Sequence, residues 1–243
     1  MKKIYKKKLS LKKNEISLII PCYNEEKNIK NLLNNIKKIK KKNKNLEIII
    51  VENGSTDNSY SIIKKNNLIK LKKINLVKIK KNLGYGFGLV QGALKSKAKF
   101  ISWIHADMQL NPSVVPKIYK KFKHDLNNKK VIIKGKRLSR NYFDLIFTKL
   151  MSITANFFLN IKLNDINSIP KIMPKQIFFG LKKYPHDFLI ELFLLKKCYL
   201  NQYKIIEYPV AIKKRYAGKA KGGGSLIGKL NLSFKTLKYI LNK

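Results

Sequence analysis

The sequence predicts an α/β protein with a mostly parallel central sheet and helices on both faces. Three observations carry this. Short apolar runs alternate with segments of helical period from residue 16 to residue 135. The runs are apolar along most of their length, as strands buried on both faces are. Polar residues follow three of them at what a parallel sheet makes a single edge.

Ile16 to Ile20 reads as a buried strand stopped by Pro21. Glu25 to Lys40 places Ile29, Leu32, Leu33, Ile36 and Ile39 at the spacing of an amphipathic helix. Leu46 to Val51 is a second strand. Residues Gly54 to Asn58 form a turn able to cap a helix from Asp57 to Lys65. Ile74 to Ile79 is a third strand, and Gly84 to Lys97 a helix opened by glycine. Phe100 to Ile104 is a fourth strand, Pro112 opens a helix to Lys123, and Val131 to Lys134 is a fifth strand. Beyond this regular order, Tyr142 to Leu159 is apolar on more than one face, and Asn164 to Pro174 reads as a loop or short extended piece. Asp187 to Tyr199 predicts a helix and Tyr203 to Ile212 a strand. Lys213 to Ser225 reads as a glycine-rich mobile loop, and Leu226 to Lys243 as a basic amphipathic helix. The expected organisation is a basic tail over 1–15, one domain over 16–225 divided near residue 135, and the C-terminal helix.

Composition narrows the function classes. The chain carries 54 Lys and Arg against 13 Asp and Glu, a formal charge of +41, and only Arg137, Arg140 and Arg215 are arginines. Lysine spread from Lys2 to Lys243 reads as biased composition and solvated faces. Nucleic-acid readers favour Arg for bidentate base contacts, so a nucleic-acid partner is not expected. The field attracts anionic ligands and anionic headgroups at a membrane surface. With 44% hydrophobic residues the chain is not a disordered polar protein. Two cysteines exclude a disulfide framework and a four-cysteine zinc site. No apolar run reaches the roughly 18 residues of a spanning helix. The basic first ten residues lead into no signal-type apolar stretch, so the expected compartment is the cytoplasm, with attachment to the inner face of the cell membrane through the basic surface as a further expectation.

The chemistry gathers at the strand ends. His105-Ala106-Asp107-Met108-Gln109 follows the fourth strand. A carboxylate there can hold Mg²⁺ or Mn²⁺, with phosphate oxygens and water completing the shell. Asp107 would be the carboxylate and Gln109 a second oxygen donor. On spacing alone Asp107 can equally cap the following turn, and His105 can be a core residue.

Four segments then resemble one family in order and spacing. Ile19-Ile20-Pro21-Cys22-Tyr23-Asn24-Glu25 is similar to the opening strand of family-2 glycosyltransferases of the GT-A fold. Val51-Glu52-Asn53-Gly54-Ser55-Thr56-Asp57 is similar to their second-strand motif, and Asn82-Leu83-Gly84-Tyr85-Gly86 to their Asn-x-Gly-x-Gly turn. His105 to Gln109 resembles the Asp-Ala-Asp-x-Gln form found in polyprenyl-phosphate sugar synthases, with His105 in place of the first Asp. A weaker match runs through Glu207 to Val210 and Arg215-x-x-Gly218. The resemblance implies inverting transfer of a sugar from a nucleotide-sugar donor to a polyprenyl-phosphate or glycan acceptor, in cell-envelope polysaccharide synthesis. It implies that Pro21, Tyr23, Glu25, Glu52, Asn53, Gly84, His105, Ala106, Asp107 and Lys219 bind the donor, with Mg²⁺ or Mn²⁺ on Asp107 and Gln109.

The departing nucleoside diphosphate needs positive charge, which Arg215 and Lys219 can add. A hydroxyl acceptor needs a base, for which Asp187 stands near a helix start; a phosphate acceptor needs cations, for which Lys136 and Arg137 follow the fifth strand. Asp187 as an ordinary N-cap and Arg137 as a surface ion pair are the structural alternatives. The competing function is a non-catalytic basic protein of the same fold that binds nucleic acid or anionic membrane, favoured by His105 and Asn53 replacing acidic residues. A nucleotidyltransferase would want a glycine-rich basic loop after the first strand, which Cys22-Tyr23-Asn24-Glu25 is not.

Overall fold

The computed structural model describes residues 12–138, 149, 152–158, 163–218 and 226–241. Seven strands form one sheet: β1 (Ile16–Cys22), β2 (Glu47–Asn53), β3 (Asn75–Ile79), β4 (Phe100–Trp103), β5 (Val131–Arg137), β6 (Lys171–Pro174) and β7 (Lys204–Val210). Their spatial order is β3-β2-β1-β4-β6-β5-β7. Every pairing is parallel except the two made by β6, which runs antiparallel to β4 and to β5. The described helices are α1 (Glu26–Lys42), α2 (Ser59–Lys65), α3 (Asn67–Lys70), α4 (Tyr85–Lys95), α5 (Val114–Asn128), α6 (Ile190–Leu200) and α7 (Leu226–Leu241), with a further helical stretch over 152–158.

The mostly parallel α/β prediction holds, with one topological difference. β4 and β5 are not neighbours; β6, within the segment read as a loop or short extended piece, lies between them. Its four residues are too few for a periodicity signal, and its Lys171 is untypical of a buried strand. Strand β1 also runs through Pro21 to Cys22. The Ile104 N–H donates to the Ile19 carbonyl at 3.2 Å. Pro21, two residues on, turns its missing donor to that same side, where the β4 pairing has ended, so the ladder loses nothing.

Chain reversal creates the functional edge. From β1 the chain moves outward through α1 to β2 and then to β3; it returns through α4 to β4 on the other side of β1. Right-handed crossovers in opposite directions put helices on opposite faces. The loops after β1 and β4 therefore part, and a crevice opens at the carboxyl ends of these strands. The core beneath is continuous, from Leu18, Ile19 and Ile20 of β1 to Ile48 to Val51 of β2, Phe100 to Trp103 of β4, and Leu89, Val90 and Ala93 of α4.

Helix α4 lies close against this sheet because Gly92 has no side chain. A Cβ there would stand 2.4 Å from Ile19 Cγ2 and 2.8 Å from Val51 Cγ2. Gly92→Ala is expected to destabilise the fold by about 1–3 kcal/mol, the usual cost of overpacking a tight core. Equilibrium denaturant unfolding checks this, and an unchanged midpoint would refute the close-packing account.

Candidate active site

A cleft of about 480 Å³ opens at this crevice. β1 brings Pro21, Cys22, Tyr23 and Glu25; β2 brings Asn53; the turn before α4 brings Asn82, Gly84 and Tyr85; the segment after β4 brings His105, Ala106 and Asp107. Asp187 and Phe188 come from the approach to α6, Arg215 from beyond β7, and Gly228, Asn231 and Lys235 from α7. Most of the expected site residues thus share one cleft although up to 194 positions separate Pro21 from Arg215.

The loop after β1 is held by the loop after β2. Ser55 Oγ accepts from the Asn24 N–H at 3.0 Å, Ser59 Oγ from the Glu25 N–H at 2.9 Å, and Asp57 Oδ2 from the Glu26 N–H at 3.1 Å. In return Asn24 Oδ1 accepts from the Thr56 N–H at 2.8 Å. The start of α1 is therefore capped by side chains from a neighbouring loop. Glu52 takes part in this scaffold: it is buried, and its Oε1 accepts from the Ser55 N–H at 2.6 Å. It does not line the cleft.

Asn53 does. Its Nδ2 donates to the Gly84 carbonyl at 2.9 Å and to Asn82 Oδ1 at 3.2 Å, which fixes the amide orientation. Its Oδ1 is buried with no hydrogen-bond partner. Gly84 (φ +105°) passes so close to the segment before α6 that a Cβ would stand 2.2 Å from the His186 carbonyl oxygen. That same oxygen accepts from the N–H groups of Gly86 at 2.7 Å and Phe87 at 3.2 Å. The Gly86 and Phe87 amides in the first turn of α4 are thus satisfied by protein.

Asp107 is 4% exposed. One oxygen accepts from the Gln109 N–H at 3.1 Å, so it caps the turn as well as lining the cleft. The other lies 3.4 Å from Arg215 Nη1. Arg215 also pairs with Glu25 through Nη2 and donates from Nε to the Ala217 carbonyl at 2.9 Å. Asn28 Nδ2 reaches the same carbonyl at 3.1 Å. One guanidinium thereby ties the segment beyond β7 to two of the carboxylates that line the cleft, Glu25 and Asp107. Gln109 stands outside the lining; its Nε2 and carbonyl are both engaged with the backbone of Lys213.

Among the described residues no group of three His, Cys, Asp or Glu side chains could cage a metal. The single buried carboxylate of Asp107 suits a cation whose other ligands come from substrate phosphates and water, as Mg²⁺ usually binds.

Asp187 lines the cleft and also closes its own turn, accepting from the Leu189 N–H at 3.0 Å. Arg137 does not reach the cleft; its guanidinium is paired with both oxygens of Asp165. This is the ion-pair alternative weighed from the sequence. Lys219 and most of the glycine-rich run lie outside the described residues, as does most of the apolar segment Tyr142 to Leu159; within 152–158, Ser152 and Ala155 are buried while Ile153, Phe157 and Phe158 are exposed.

Under the cleft is a polar cluster that sequence reading missed. Lys171 and Glu191 form a fully buried ion pair. Lys171 also donates to the carbonyls of Ile166 at 2.9 Å and Ser168 at 2.8 Å. Glu191 accepts from Trp103 Nε1 and from the Tyr85 hydroxyl, each at 2.8 Å. Burial, followed by the charge of Glu191, pushes the Tyr85 phenol well above its usual pKa; burial lowers that of Lys171 against the pull of Glu191. Tyr85 then stacks on Phe188 at 4.6 Å and meets His105 edge-on at 5.3 Å, building an aromatic wall on a fixed base. The available signal was a lysine inside an apolar strand, as Lys171 is. Lys134, opposite it on β5, is buried likewise and pairs with Glu207 at 2.8 Å.

The sheet order and switch-point cleft define the GT-A class of fold, in which loops after the first, second and fourth strands converge. The chain belongs to glycosyl transferase family 2, whose family model matches residues 17–179. It is 25% identical over 221 residues to dolichol-phosphate mannosyltransferase of Pyrococcus furiosus, an alignment covering 88% of this chain and 60% of that protein. It is 29% identical over 106 residues to undecaprenyl-phosphate 4-deoxy-4-formamido-L-arabinose transferase of Proteus mirabilis, covering 43% of this chain and 32% of that one. The chain thus spans from about a third to three-fifths of the length of these relatives. A crystal structure of glucosyl-3-phosphoglycerate synthase from Mycobacterium tuberculosis with Mn²⁺, UDP and phosphoglyceric acid shares the fold, with a TM-score of 0.67 at 15% identity over 94% of this chain and 77% of that one.

The buried pair yields a stability test. Glu191→Leu leaves a cation buried without its partner and is expected to cost about 3–5 kcal/mol, whereas Glu191→Leu with Lys171→Met costs much less than the two single changes together. Denaturant unfolding of the four proteins measures the coupling; additive losses would show that the pair is not coupled.

Proposed function

We propose that the protein is an inverting, nucleotide-sugar-dependent glycosyltransferase whose acceptor is a polyprenyl phosphate. One observation carries this reading: the buried Asp107 carboxylate and Asn53, whose Oδ1 is buried without a partner, line a single switch-point cleft that Arg215 also enters. The names of the two curated relatives support the acceptor class.

Asn53 Oδ1 would accept from an N–H of the base, between the walls made by Pro21 and Tyr23. Gly84, His105 and Ala106 would line the path of the diphosphate and sugar. Arg215, already tethered by Glu25, offers positive charge where the leaving diphosphate becomes more negative. Mg²⁺ or Mn²⁺ on Asp107 would supply further neutralisation of that charge; Gln109, outside the lining, would take no part in holding it. The acceptor oxygen forms its bond to the anomeric carbon on the face opposite the departing diphosphate, so configuration inverts. A phosphate oxygen is already ionised at neutral pH and needs no base. For a glycan hydroxyl, Asp187 on the opposite wall is the candidate base.

The field of +41 charges favours an anionic membrane surface, and peripheral attachment there would bring the enzyme to a lipid acceptor. Among the described residues no helix is long and apolar enough to cross a membrane.

Two measurements test the proposal. Thermal shifts with UDP- and GDP-sugars should show stabilisation that Mn²⁺ enhances. Asp107→Asn should remove that enhancement and weaken donor binding by about tenfold or more, as expected for loss of a charged contact. No stabilisation of the native protein by any nucleotide sugar would refute the enzyme. Turnover of Asp187→Asn separates the acceptors. With undecaprenyl phosphate it should remain within a few-fold of the native protein, whereas a hydroxyl acceptor that needs this base would lose about 100-fold or more.

A further inference from the structure

Helix α7 has an unusual distribution of side chains. Gly228, Asn231 and Lys235 line the cleft, and their spacing of three and then four residues puts them on one face. Thr236 and Ile240, on an adjoining face, are buried. The outward face is apolar: Leu230 is 52% exposed, Phe234 69% and Leu241 55%. At about 100° per residue these three fall within a narrow arc, about 110° round the helix from the cleft-facing group and about 120° from the buried one. A helix packed only to finish a soluble core would turn its Leu and Phe inward.

The cleft-facing polar groups are not consumed by the fold. Lys235 Nζ comes no nearer than 3.9 Å to Asp187 Oδ2, with both side chains substantially exposed, which is a weak and easily exchanged contact. It lines the same cleft as Asp107 and Arg215. A cation with three donors and an amide one turn away suit an anion with several acceptor oxygens.

We infer that Asn231 and Lys235 of α7 form the phosphate-binding half of the acceptor site, and that the phosphate they take is carried by a membrane lipid. The inference rests on the glycosyltransferase reading above and adds residues that no motif of the sequence marks. Lys235 exchanges the Asp187 carboxylate for the acceptor phosphate, while Leu230, Phe234 and Leu241 enter the apolar boundary of the bilayer. The strongly positive chain draws this face to anionic lipid. Inner and outer faces of one helix would then hold headgroup and lipid chain region together, so the acceptor need not leave the membrane to reach the cleft.

The test uses the full chain and phosphatidylcholine vesicles containing either undecaprenyl phosphate or an equal charge of phosphatidylglycerol. The native protein should sediment preferentially with the undecaprenyl phosphate vesicles. Lys235→Ala should erase that preference, a loss of about 10-fold or more in affinity for a charged contact, and Lys235→Arg should keep most of it. Leu230→Ser with Phe234→Ser should weaken binding to both vesicle types. Nucleotide-sugar binding, measured separately, should change by less than about twofold in every variant, because these residues face the acceptor side. An undiminished preference in Lys235→Ala overturns the phosphate site, whatever the donor result. Failure of the native protein to bind any nucleotide sugar overturns the enzymatic reading instead. Should Lys235 control KM for 3-phosphoglycerate while vesicle binding ignores both Lys235 and the apolar pair, the phosphate is a soluble one and the lipid assignment falls.

Discussion

The position of β1 between β2 and β4 is the constraint on which the rest depends. Because the chain leaves β1 in one direction and returns on its other side, the loops at its carboxyl end cannot pack on one another, and a crevice results. The structure spends several interactions on keeping that crevice in shape. Gly92 lets α4 sit against β1 and β2. Ser55, Asp57 and Ser59 cap the neighbouring loop, so the segment from Tyr23 to Glu26 is held by backbone hydrogen bonds. The motif residues around Gly54 therefore act first on the backbone next to them, and only through it on a ligand.

Charge is handled differently at two depths. In the cleft, Arg215 bridges Glu25 and Asp107 at partial exposure, so that one guanidinium serves two carboxylates. Beneath it, Lys171 and Glu191 are removed from water, and every hydrogen of the ammonium and both oxygens of the carboxylate have partners. A buried polar group that is fully satisfied specifies one arrangement of its neighbours. Here those neighbours include Tyr85 and Trp103, so the aromatic wall of the cleft rests on an inflexible polar base. The overall charge of +41 bears on neither; it is a property of solvated faces and governs what the molecule approaches.

The family match ends at residue 179, whereas Asp187, Arg215 and the whole of α7 come later. The walls of the cleft thus have different origins in the chain. One side is built by strand ends of the matched region. The other side is built by segments that reach the cleft only after β7 and α7 are in place.

The strands, helices and edge residues of the first half were legible because each rests on local regularity: the apolar runs of β1, β2 and β4, the helical period of α1, and Pro21, Asn53 and Asp107 at predicted strand ends. By itself the sequence determined an α/β fold, the residues of its carboxyl edge and the family they resemble. Only the tertiary structure decided that β6 lies between β4 and β5, that Glu52 braces a loop and stays out of the cleft, that Arg137 is occupied by Asp165, and that Lys235 lines the cleft while Phe234 stands away from it. The physical reason is the range of the interactions. Period and capping act over a few residues and leave their mark on adjacent letters, whereas an ion pair or a cleft wall joins groups such as Glu25 and Arg215 that meet only when the sheet is complete.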